Sequence, residues 1–219
     1  MSVTTQIQYL HSALPTDVRL VAVSKFHPVE ALREAYKAGQ RIFGESRPQE
    51  MTAKQAQLPS DIEWHMIGHL QTNKVKMIAP YVSLIHSVDS SRLVAEIDRC
   101  AARLGRTIDV LFEVHLAEEE SKSGWRESEM MDFVCSGELE RYPNVRLRGL
   151  MTIGTLTDDT ELNKSEFRRL KGLFDTLAPL RGAEFDTLSM GMTSDYAEAI
   201  ECGSNMVRIG SMIFGERIY

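Results

Sequence analysis

Lys25 has the most distinctive chemistry in the chain, because it follows the run RLVAVS (19–24), which predicts a strand. Alternation along that strand places Val21, Val23 and Lys25 on one face, where the lysine is at least partly shielded from water. Desolvation lowers the pKa of a lysine, and a neutral amine can attack an aldehyde to form a Schiff base. The ordinary alternative is a rim lysine whose ammonium group stays in water.

A second group of residues near the C-terminus has the chemistry of an anion site. Arg208 lies in the apolar run MVRIG, and a buried arginine is costly unless it meets an acceptor. A structural salt bridge is its ordinary explanation. Gly210 lets a ligand approach the backbone, and Ser211 adds a hydroxyl and an N–H. Ser189 and Gly191 share a face at the end of an earlier strand, so these residues together predict a phosphate cup.

The histidines carry a weaker signal. His65 and His69 have the spacing of a helical metal site, but on a predicted strand four residues span roughly 13 Å. His69 remains a candidate ligand contact, and Met190 is a candidate for lining a ring pocket, although packing is the usual role of methionine. His-Glu-x-x-His, P-loop and Gly-x-Ser-x-Gly motifs are absent from the sequence. The remaining predictions are surface or packed positions for His11, His27 and His86.

Composition narrows the class of protein. The 219 residues carry a net charge of −6 with scattered lysines and arginines, which argues against a nucleic-acid partner. Three cysteines without a Cys-x-x-Cys pair indicate a reducing compartment rather than a disulfide framework. No apolar stretch reaches the roughly 18 residues of a membrane span, and the first residues do not read as a signal peptide. We therefore expect a cytoplasmic protein without a membrane partner.

Two patterns alternate along the chain and must position these residues. Short apolar, β-branched runs predict eight strands, and segments with helical spacing of apolar residues lie between them. The helix over 28–39 ends on Gly39, the helix over 90–105 begins at Ser90 or Ser91, and a short helix ends on Gly203. The predicted strands are 19–24, 41–45, 64–68, 83–88, 109–115, 145–152, 186–191 and 206–210.

Strand–helix alternation predicts parallel strands with crossover helices, and eight strands in this length favour a closed (β/α)₈ TIM-type barrel of class α/β. An open doubly wound sheet is the competitor, but its glycine-rich turn is absent after the first strand. We expect residues 1–219 to form a single domain. Active sites of such barrels lie where strands end, which selects Lys25, Glu45, Ser46, His69, Asp89, His115, Thr152, Ser189 and 208–211.

Seven strings in the chain resemble the pyridoxal phosphate homeostasis protein family. They are LVAVSK (20–25), FGESRPQE (43–50), WHMIGHLQTNK (64–74), EESKSG (119–124), GLMTIG (149–154), LSMGMTSDYAEAIECGS (188–204) and VRIGSMIFGER (207–217). The strings run in the family's order from about Leu20 to the C-terminus, and together they are highly specific. The resemblance implies a (β/α)₈ barrel similar to the N-terminal domain of alanine racemase.

The resemblance also implies pyridoxal 5′-phosphate (PLP) as the cofactor and a role for each matching residue. Lys25 would form the aldimine and Arg208 would face the pyridine nitrogen, while the phosphate would meet Ser189, Gly210 and Ser211. Met190, Gly191 and His69 complete the predicted cofactor-binding set. Ser46 stands where the family usually has asparagine, and its shorter side chain puts a ring-side hydrogen bond in question.

The function implied is a carrier or buffer of PLP in intracellular vitamin B6 homeostasis, with PLP-dependent apo-enzymes as prospective partners, rather than an enzyme. Racemisation on PLP needs an acid/base on each face of the substrate, and Lys25 serves one face. The racemase tyrosine for the other face lies on a separate domain, and Tyr219 is a poor replacement.

Three alternatives stay open. The first is a small PLP-dependent amino-acid racemase or a related fold-type III enzyme, with His69 or His115 as its second acid. The second is a sugar-phosphate barrel enzyme with Lys25 as an aldolase-type lysine. The third is an interaction module without a ligand. Such a module does not explain why Lys25 and Arg208 would both point inward at one end of the barrel.

Overall fold

The computed structural model describes residues 2–116 and 123–215, and within these ranges eight parallel strands close into a barrel in chain order. The strands are β1 (Arg19–Val23), β2 (Ile42–Glu45), β3 (Glu63–Met66), β4 (Leu84–Val88), β5 (Ile108–Glu113), β6 (Val145–Met151), β7 (Thr187–Ser189) and β8 (Met206–Ile209). Pairing of β1 with β8 closes the ring, with Val21 opposite Arg208. The predicted (β/α)₈ barrel is therefore confirmed.

Helices cover the outside of the barrel. In the described residues they are α1 (Val3–Ala13), α2 (Val29–Lys37), α3 (Pro48–Gln55), α4 (Val75–Ile78), α5 (Ser91–Arg103), α6 (Glu127–Cys135), α7 (Thr160–Arg181), α8 (Tyr196–Glu201) and α9 (Ser211–Phe214). Two 3₁₀ turns, Thr72–Lys74 and Glu138–Arg141, lie among them. None of the helices described combines the length and apolarity that crossing a membrane requires.

Local signals place several helix ends as expected. The Ser90 hydroxyl accepts a hydrogen bond from the N–H of Leu93, which caps α5 as the sequence predicts. Gly39 follows α2 with φ at +103°, a conformation that glycine adopts without steric cost. Helix α1 was not predicted. It packs Ile7 and Leu10 into the core ahead of β1.

Alternation along the strands separates two cores. On β8, Val207 and Ile209 point outward and join the large core between the strands and the helices. Met206 points inward and packs with four other residues in a small apolar cluster inside the barrel, Val21, Leu84, Leu111 and Met151. Arg208 shares the inward face of Met206, so a charged residue lies in the barrel interior.

The observed end of β1 changes where Lys25 lies relative to the predicted strand. β1 ends at Val23, so Lys25 lies in the turn that follows and not on the strand itself. Its position on a turn gives the side chain more freedom than strand pleating would allow. The other predicted strands differ from the observed ones by one or two residues at their ends.

Candidate functional site

A cavity of about 450 Å³ lies at the carboxyl ends of the strands, where barrel proteins place their sites. It is lined by Val23, Lys25, His27, Ser46, Ile67, Ile153, Leu156, Met192, Thr193, Ser194, Arg208, Gly210, Ser211 and Gly215. A second hollow, of about 310 Å³, lies at the opposite end among residues that begin their strands, such as Arg19 and Glu63. The first cavity is the functional candidate, because it joins the predicted lysine to the predicted arginine.

The turn that carries Lys25 has an unusual backbone. Phe26 has φ at +68°, in the left-handed region that residues with a side chain rarely adopt. Two contacts from the start of α3 stabilise this conformation. The N–H of Phe26 donates to Oε1 of Glu50 at 2.6 Å, and the guanidinium of Arg47 lies 4.7 Å from the centre of the Phe26 ring. The half-buried Lys25 side chain is thereby directed to the cavity.

A buried ion network fixes the other side of the same turn. Lys54 Nζ donates to the carbonyl oxygen of Ser24, to Oε1 of Glu45 and to Oε1 of Glu50, each at 2.7 Å. The Ser24 hydroxyl also donates to Glu45 Oε1 at 2.7 Å. Burial raises the pKa of the Glu45 carboxyl, and Lys54 opposes that effect. The residues before and after Lys25 are thus tied to one cluster of charges on α3 and β2.

Arg208 is held in the opposite way, by neutral acceptors. Its Nη1 donates to the carbonyl oxygen of Ser189 at 2.9 Å and to the Ser189 hydroxyl at 2.7 Å, and its Nη2 donates to the carbonyl oxygen of Thr152 at 2.8 Å. Burial lowers the pKa of Arg208 to about 10, while Asp195 and Glu113 oppose the shift. The guanidinium is therefore charged at neutral pH and fixed at the edge of the cavity.

Ser189, predicted to contact a phosphate, has other contacts in the structure. Its side chain is completely buried, and its hydroxyl contacts Arg208 and Nδ1 of His86, the latter at 3.1 Å. Nε2 of His86 in turn lies 2.9 Å from Nδ1 of His65. Strand alternation turns the hydroxyl into the barrel interior, and Ser189 is not among the residues that line the cavity. His86, predicted as an ordinary surface or packed residue, and His65 form a hydrogen-bonded pair behind Arg208.

The loops after β7 and β8 supply the polar wall of the cavity. Thr193 and Ser194 follow β7, and Gly210 and Ser211 begin the last helix. The N–H of Gly210 approaches Thr193 Oγ1 at 3.4 Å. A Cβ on Gly210 would come within 3.1 Å of the carbonyl oxygen of Val23, so only glycine fits there easily. Hydroxyls and backbone N–H groups in this arrangement can bind an oxyanion.

Met190 and Gly191 do not line the cavity. Met190 points outward and is completely buried in the core beneath the helices, because it alternates with the inward Ser189. Gly191 has φ at +94°, and a Cβ there would lie 2.6 Å from the Cβ of Ala199. Its carbonyl accepts a hydrogen bond from the N–H of Arg208 at 3.0 Å. The two residues support the wall from behind.

His69 lies in a different depression. It lines a hollow of about 330 Å³ with Asp89, and its Nδ1 is 3.1 Å from Asp89 Oδ2. His69 lies three residues after the end of β3 and is not among the residues that line the cavity with Lys25. Ser46 does line that cavity. Gly68 makes room for it, since a Cβ on Gly68 would lie 2.7 Å from the Cβ of Ser46.

Glu113 is a titratable group behind the mouth that sequence reasoning missed. It is buried at the end of β5, and burial raises its pKa to about 7. Ser123 Oγ lies 3.2 Å from its Oε1. Ser123 belongs to the string EESKSG, of which residues 119–122 lie outside the described residues.

Three further lining residues were also missed. His27 stacks on Phe214 with ring centroids 5.0 Å apart, and Thr193 and Ser194 directly follow the predicted seventh strand. The rule that barrels bind phosphate after strands seven and eight was sufficient to identify the last two. Within the described residues, no group of three His, Cys, Asp or Glu side chains is placed to hold a metal ion.

Comparisons with known proteins agree with this architecture. The family described as "Alanine racemase, N-terminal domain" matches residues 2–218. A pyridoxal phosphate homeostasis protein of Pasteurella multocida is 41% identical over 206 residues, covering 92% of this chain and 88% of its own.

Two solved structures of PipY from Synechococcus elongatus PCC7942 are also similar. The one without PLP has a TM-score of 0.92 and the one with PLP bound 0.91, each 37% identical and covering 98% of this chain and 100% of the other. An alanine racemase of Streptomyces coelicolor A3(2) has a TM-score of 0.79 at 18% identity, covering 97% of this chain and 57% of its own, which is a likeness of fold.

Proposed function

This chain belongs to the pyridoxal phosphate homeostasis protein family, and from that premise we propose that it binds PLP in the cavity between Lys25 and Arg208 and carries or buffers it in vitamin B6 homeostasis. The binding unit proposed is one barrel domain, residues 1–219. The observation that carries the proposal is that a turn lysine, a buried arginine and a hydroxyl-lined loop face one cavity.

The residues present fit the chemical groups of PLP. Bound PLP supplies an aldehyde that a lysine amine can attack, with loss of water, to form a covalent C=N linkage. Lys25 is the proposed nucleophile, since it is half-buried and lines the cavity. Thr193, Ser194 and Ser211 provide hydroxyls for the phosphate, and Gly210 permits its close approach to the backbone.

Arg208 has the chemistry to face the pyridine nitrogen. A guanidinium offers only donors, and this one keeps its charge at neutral pH although burial lowers its pKa to about 10. Arg208 would therefore donate to the ring nitrogen and leave it unprotonated. An unprotonated ring is a weaker electron sink than a protonated ring that donates to a carboxylate, so this environment disfavours carbanion chemistry.

We place the protein among carriers rather than racemases for a second, geometric reason. Racemisation needs an acid/base on each face of the substrate. His69 and His115, the candidates for a second acid, are not among the described residues that line the cavity. His27 does line it, but its ring stacks on Phe214. A single lysine can hold the cofactor without completing such a reaction.

Borohydride reduction followed by peptide mapping tests the site. We expect PLP to be fixed on Lys25 in the native protein. Lys25→Ala should lose trapping entirely and keep weaker, reversible PLP binding, because the phosphate contacts do not depend on the lysine. The matched control is Lys171→Ala on the exposed face of α7, which should trap PLP normally. Fixation on another lysine in the native protein would contradict the assignment of Lys25.

Deuterium exchange at the Cα of added amino acids tests the carrier role. We expect no exchange above the rate of free PLP. Turnover near a typical enzyme value of about 10 s⁻¹ would instead support the alternative, a small PLP-dependent racemase or related enzyme.

The recipients of PLP and the compartment are further parts of the proposal. We propose PLP-dependent apo-enzymes as recipients and the cytoplasm as the location. Mixing the loaded protein with an apo-enzyme in the presence of a free-PLP scavenger tests the transfer: direct handover should restore activity, and release to solution should not.

A further inference from the structure

Two histidines inside the barrel have no part in the proposed binding of PLP. His86 is completely buried on β4, and His65 is 2% exposed on β3. Their rings meet, with 2.9 Å between His86 Nε2 and His65 Nδ1, and the other nitrogen of His86 lies 3.1 Å from the Ser189 hydroxyl oxygen. The chain continues to Arg208, so four side chains from four strands form one hydrogen-bonded series.

The direction in which protons are donated along this series follows from Arg208, the charged residue at one end. Arg208 can only donate, so the Ser189 oxygen accepts at 2.7 Å. The single hydroxyl proton of Ser189 is then available for Nδ1 of His86, which must be unprotonated to accept it. Because a neutral imidazole carries one proton, His86 holds it on Nε2 and donates to Nδ1 of His65. By the same logic His65 holds its proton on Nε2.

The reverse direction satisfies fewer groups. If His86 Nδ1 donated to Ser189, the hydroxyl proton of Ser189 would have no acceptor among the contacts that the structure describes for it. A buried donor without an acceptor is costly. The forward direction, from Arg208 to His65, leaves each shared proton between one donor and one acceptor.

Burial, aided by nearby positive charge, keeps both rings neutral. Burial lowers the pKa of His65 to about 3, and it lowers the pKa of His86 well below its ordinary value. Arg208 on β8 and Arg19 on β1 add positive charge that opposes protonation of His86. Glu113 on β5 interacts electrostatically with Arg208 and raises its pKa. The proton arrangement therefore holds across the physiological range.

We propose that His86 is a positioning residue for Arg208, acting through Ser189 and backed by His65. By taking the Ser189 proton, His86 turns the oxygen lone pair toward Arg208 and fixes the plane of the guanidinium at the cavity. The proposal rests on the proposed function of that cavity as a PLP site. It predicts both the proton positions in the free protein and the electronic environment of the bound ring.

Nitrogen NMR of ¹⁵N-histidine-labelled, PLP-free protein tests the proton positions without any ligand. The ring nitrogens of His65 and His86 are assigned with the single variants His65→Gln and His86→Gln. We expect both rings neutral and protonated on Nε2 from about pH 5 to about 8. A proton on Nδ1 of His86, or a charged ring in this range, would overturn the proposal whether or not PLP binds.

The PLP-loaded protein tests the positioning role. His86→Leu removes the acceptor for Ser189, and we expect a shifted absorbance maximum and roughly tenfold faster PLP loss, the factor given by about 1.4 kcal/mol. His86→Gln keeps an acceptor and should restore much of the native spectrum. His11→Leu is the matched control, since His11 bonds Gln40 outside the cavity.

The outcomes separate the two proposals. Failure of the native protein to trap PLP would contradict the proposed function and leave the NMR result to judge the hydrogen-bond series. Normal trapping with an identical spectrum in His86→Leu would contradict the positioning role alone. If His86→Leu does not fold, Ser189→Ala removes the same link with a smaller change and carries the same expectation.

Discussion

Among the described residues that line the cavity, Lys25 and Arg208 are the two with lysine or arginine side chains, and the protein holds them by different means. The turn of Lys25 is fixed from outside the barrel by charged side chains, chiefly Lys54 and Glu50 of α3. Arg208 lies on a strand inside the barrel and is fixed by carbonyl oxygens and a hydroxyl. One cation is half-buried on a turn, and the other is almost fully buried in the sheet.

The difference corresponds to what each residue is proposed to do. A lysine that forms and releases a covalent bond must change its charge and reorient, so its backbone is fixed while its side chain reaches the cavity. An arginine that sets the electronic state of a ring must keep one orientation, and a rigid strand with neutral acceptors provides it. Charged side chains fix the backbone around Lys25, and the dipoles of neutral acceptors fix the guanidinium of Arg208.

The substitution Lys54→Met is expected to have the largest effect, and it tests how the turn that carries Lys25 is held. It leaves Glu45 buried without its cation, and removal of one partner from a buried ion pair costs about 3–5 kcal/mol of unfolding free energy. The turn should also loosen, so borohydride trapping of PLP should slow. Urea denaturation and trapping kinetics measure the two effects.

Lys171→Met is the control for that experiment. Its ion pair with Asp175 lies on the helix surface and should contribute less than about 0.5 kcal/mol. The double variant Glu45→Gln, Lys54→Met should recover part of the loss. Equal effects of Lys54→Met and Lys171→Met would show that the ion network does not hold the turn.

The pH dependence of protein stability tests the surroundings of Arg208 through the titration of Glu113. Its pKa in the folded protein, about 7, exceeds the ordinary value of 4.5 because burial disfavours the charged form. The unfolded chain therefore loses this proton first, and the contribution of Glu113 to stability falls as the pH rises from about 4.5 to about 7. At about 1.4 kcal/mol per pKa unit, the loss is at most about 3.5 kcal/mol. Urea denaturation across this range measures it.

Glu113→Gln should remove this contribution, because glutamine does not titrate, so the stability of the native protein relative to this variant should fall between about pH 4.5 and 7. Glu138→Gln, on the 3₁₀ turn that follows α6, is the control and should keep the native slope. A stability difference between the native protein and Glu113→Gln that does not fall between about pH 4.5 and 7 would contradict the raised pKa of Glu113.

Ser211→Ala tests the third element of the cavity, the loop proposed to bind the phosphate. One hydrogen bond to a charged group is worth about 1.5–3 kcal/mol, and the exposure of Ser211 favours the lower end. We expect PLP affinity to fall about tenfold, with Lys25 still trapped by borohydride. Equilibrium dialysis measures the affinity. Ser12→Ala on α1 is the control, and equal affinities of the two variants would remove Ser211 from the site.

His69→Ala should have the smallest effect. His69 lies in a separate depression with Asp89, so we expect less than about a twofold change in PLP affinity. The same dialysis experiment applies. A tenfold loss of PLP affinity would mean that the PLP site extends to the loop after β3, so that a third region of the protein contributes to binding.

Some of these features could be predicted from local sequence. The eight strand–helix units, the cap at Ser90 and the inward face of Arg208 follow from residue periodicity and capping chemistry, which act over a few neighbouring residues. The family resemblance is confirmed as well. The barrel rule also brought Lys25, Ser46 and Gly210 to one mouth, and the structure places all three in one cavity.

Other features required the tertiary structure. Met190 was expected beside a ring and instead packs in the outer core, while His69 was expected at the cavity and lies outside it. A shift of one residue along a strand reverses the face of a side chain, and sequence places strand ends only to within one or two residues. The roles of such residues depend on strand ends that sequence does not locate to a single position.

The sequence by itself determined the fold and identified the two cationic residues, because the alternation of apolar residues and the approximate positions of strand ends are local properties of the chain. Only the tertiary structure decided what those cations touch. His86 and Ser189 meet across 103 residues of sequence, and Lys54 reaches back 30 residues to Ser24. Such contacts depend on the stagger of the closed barrel, which brings together polar groups whose burial is tolerable only when each finds a partner.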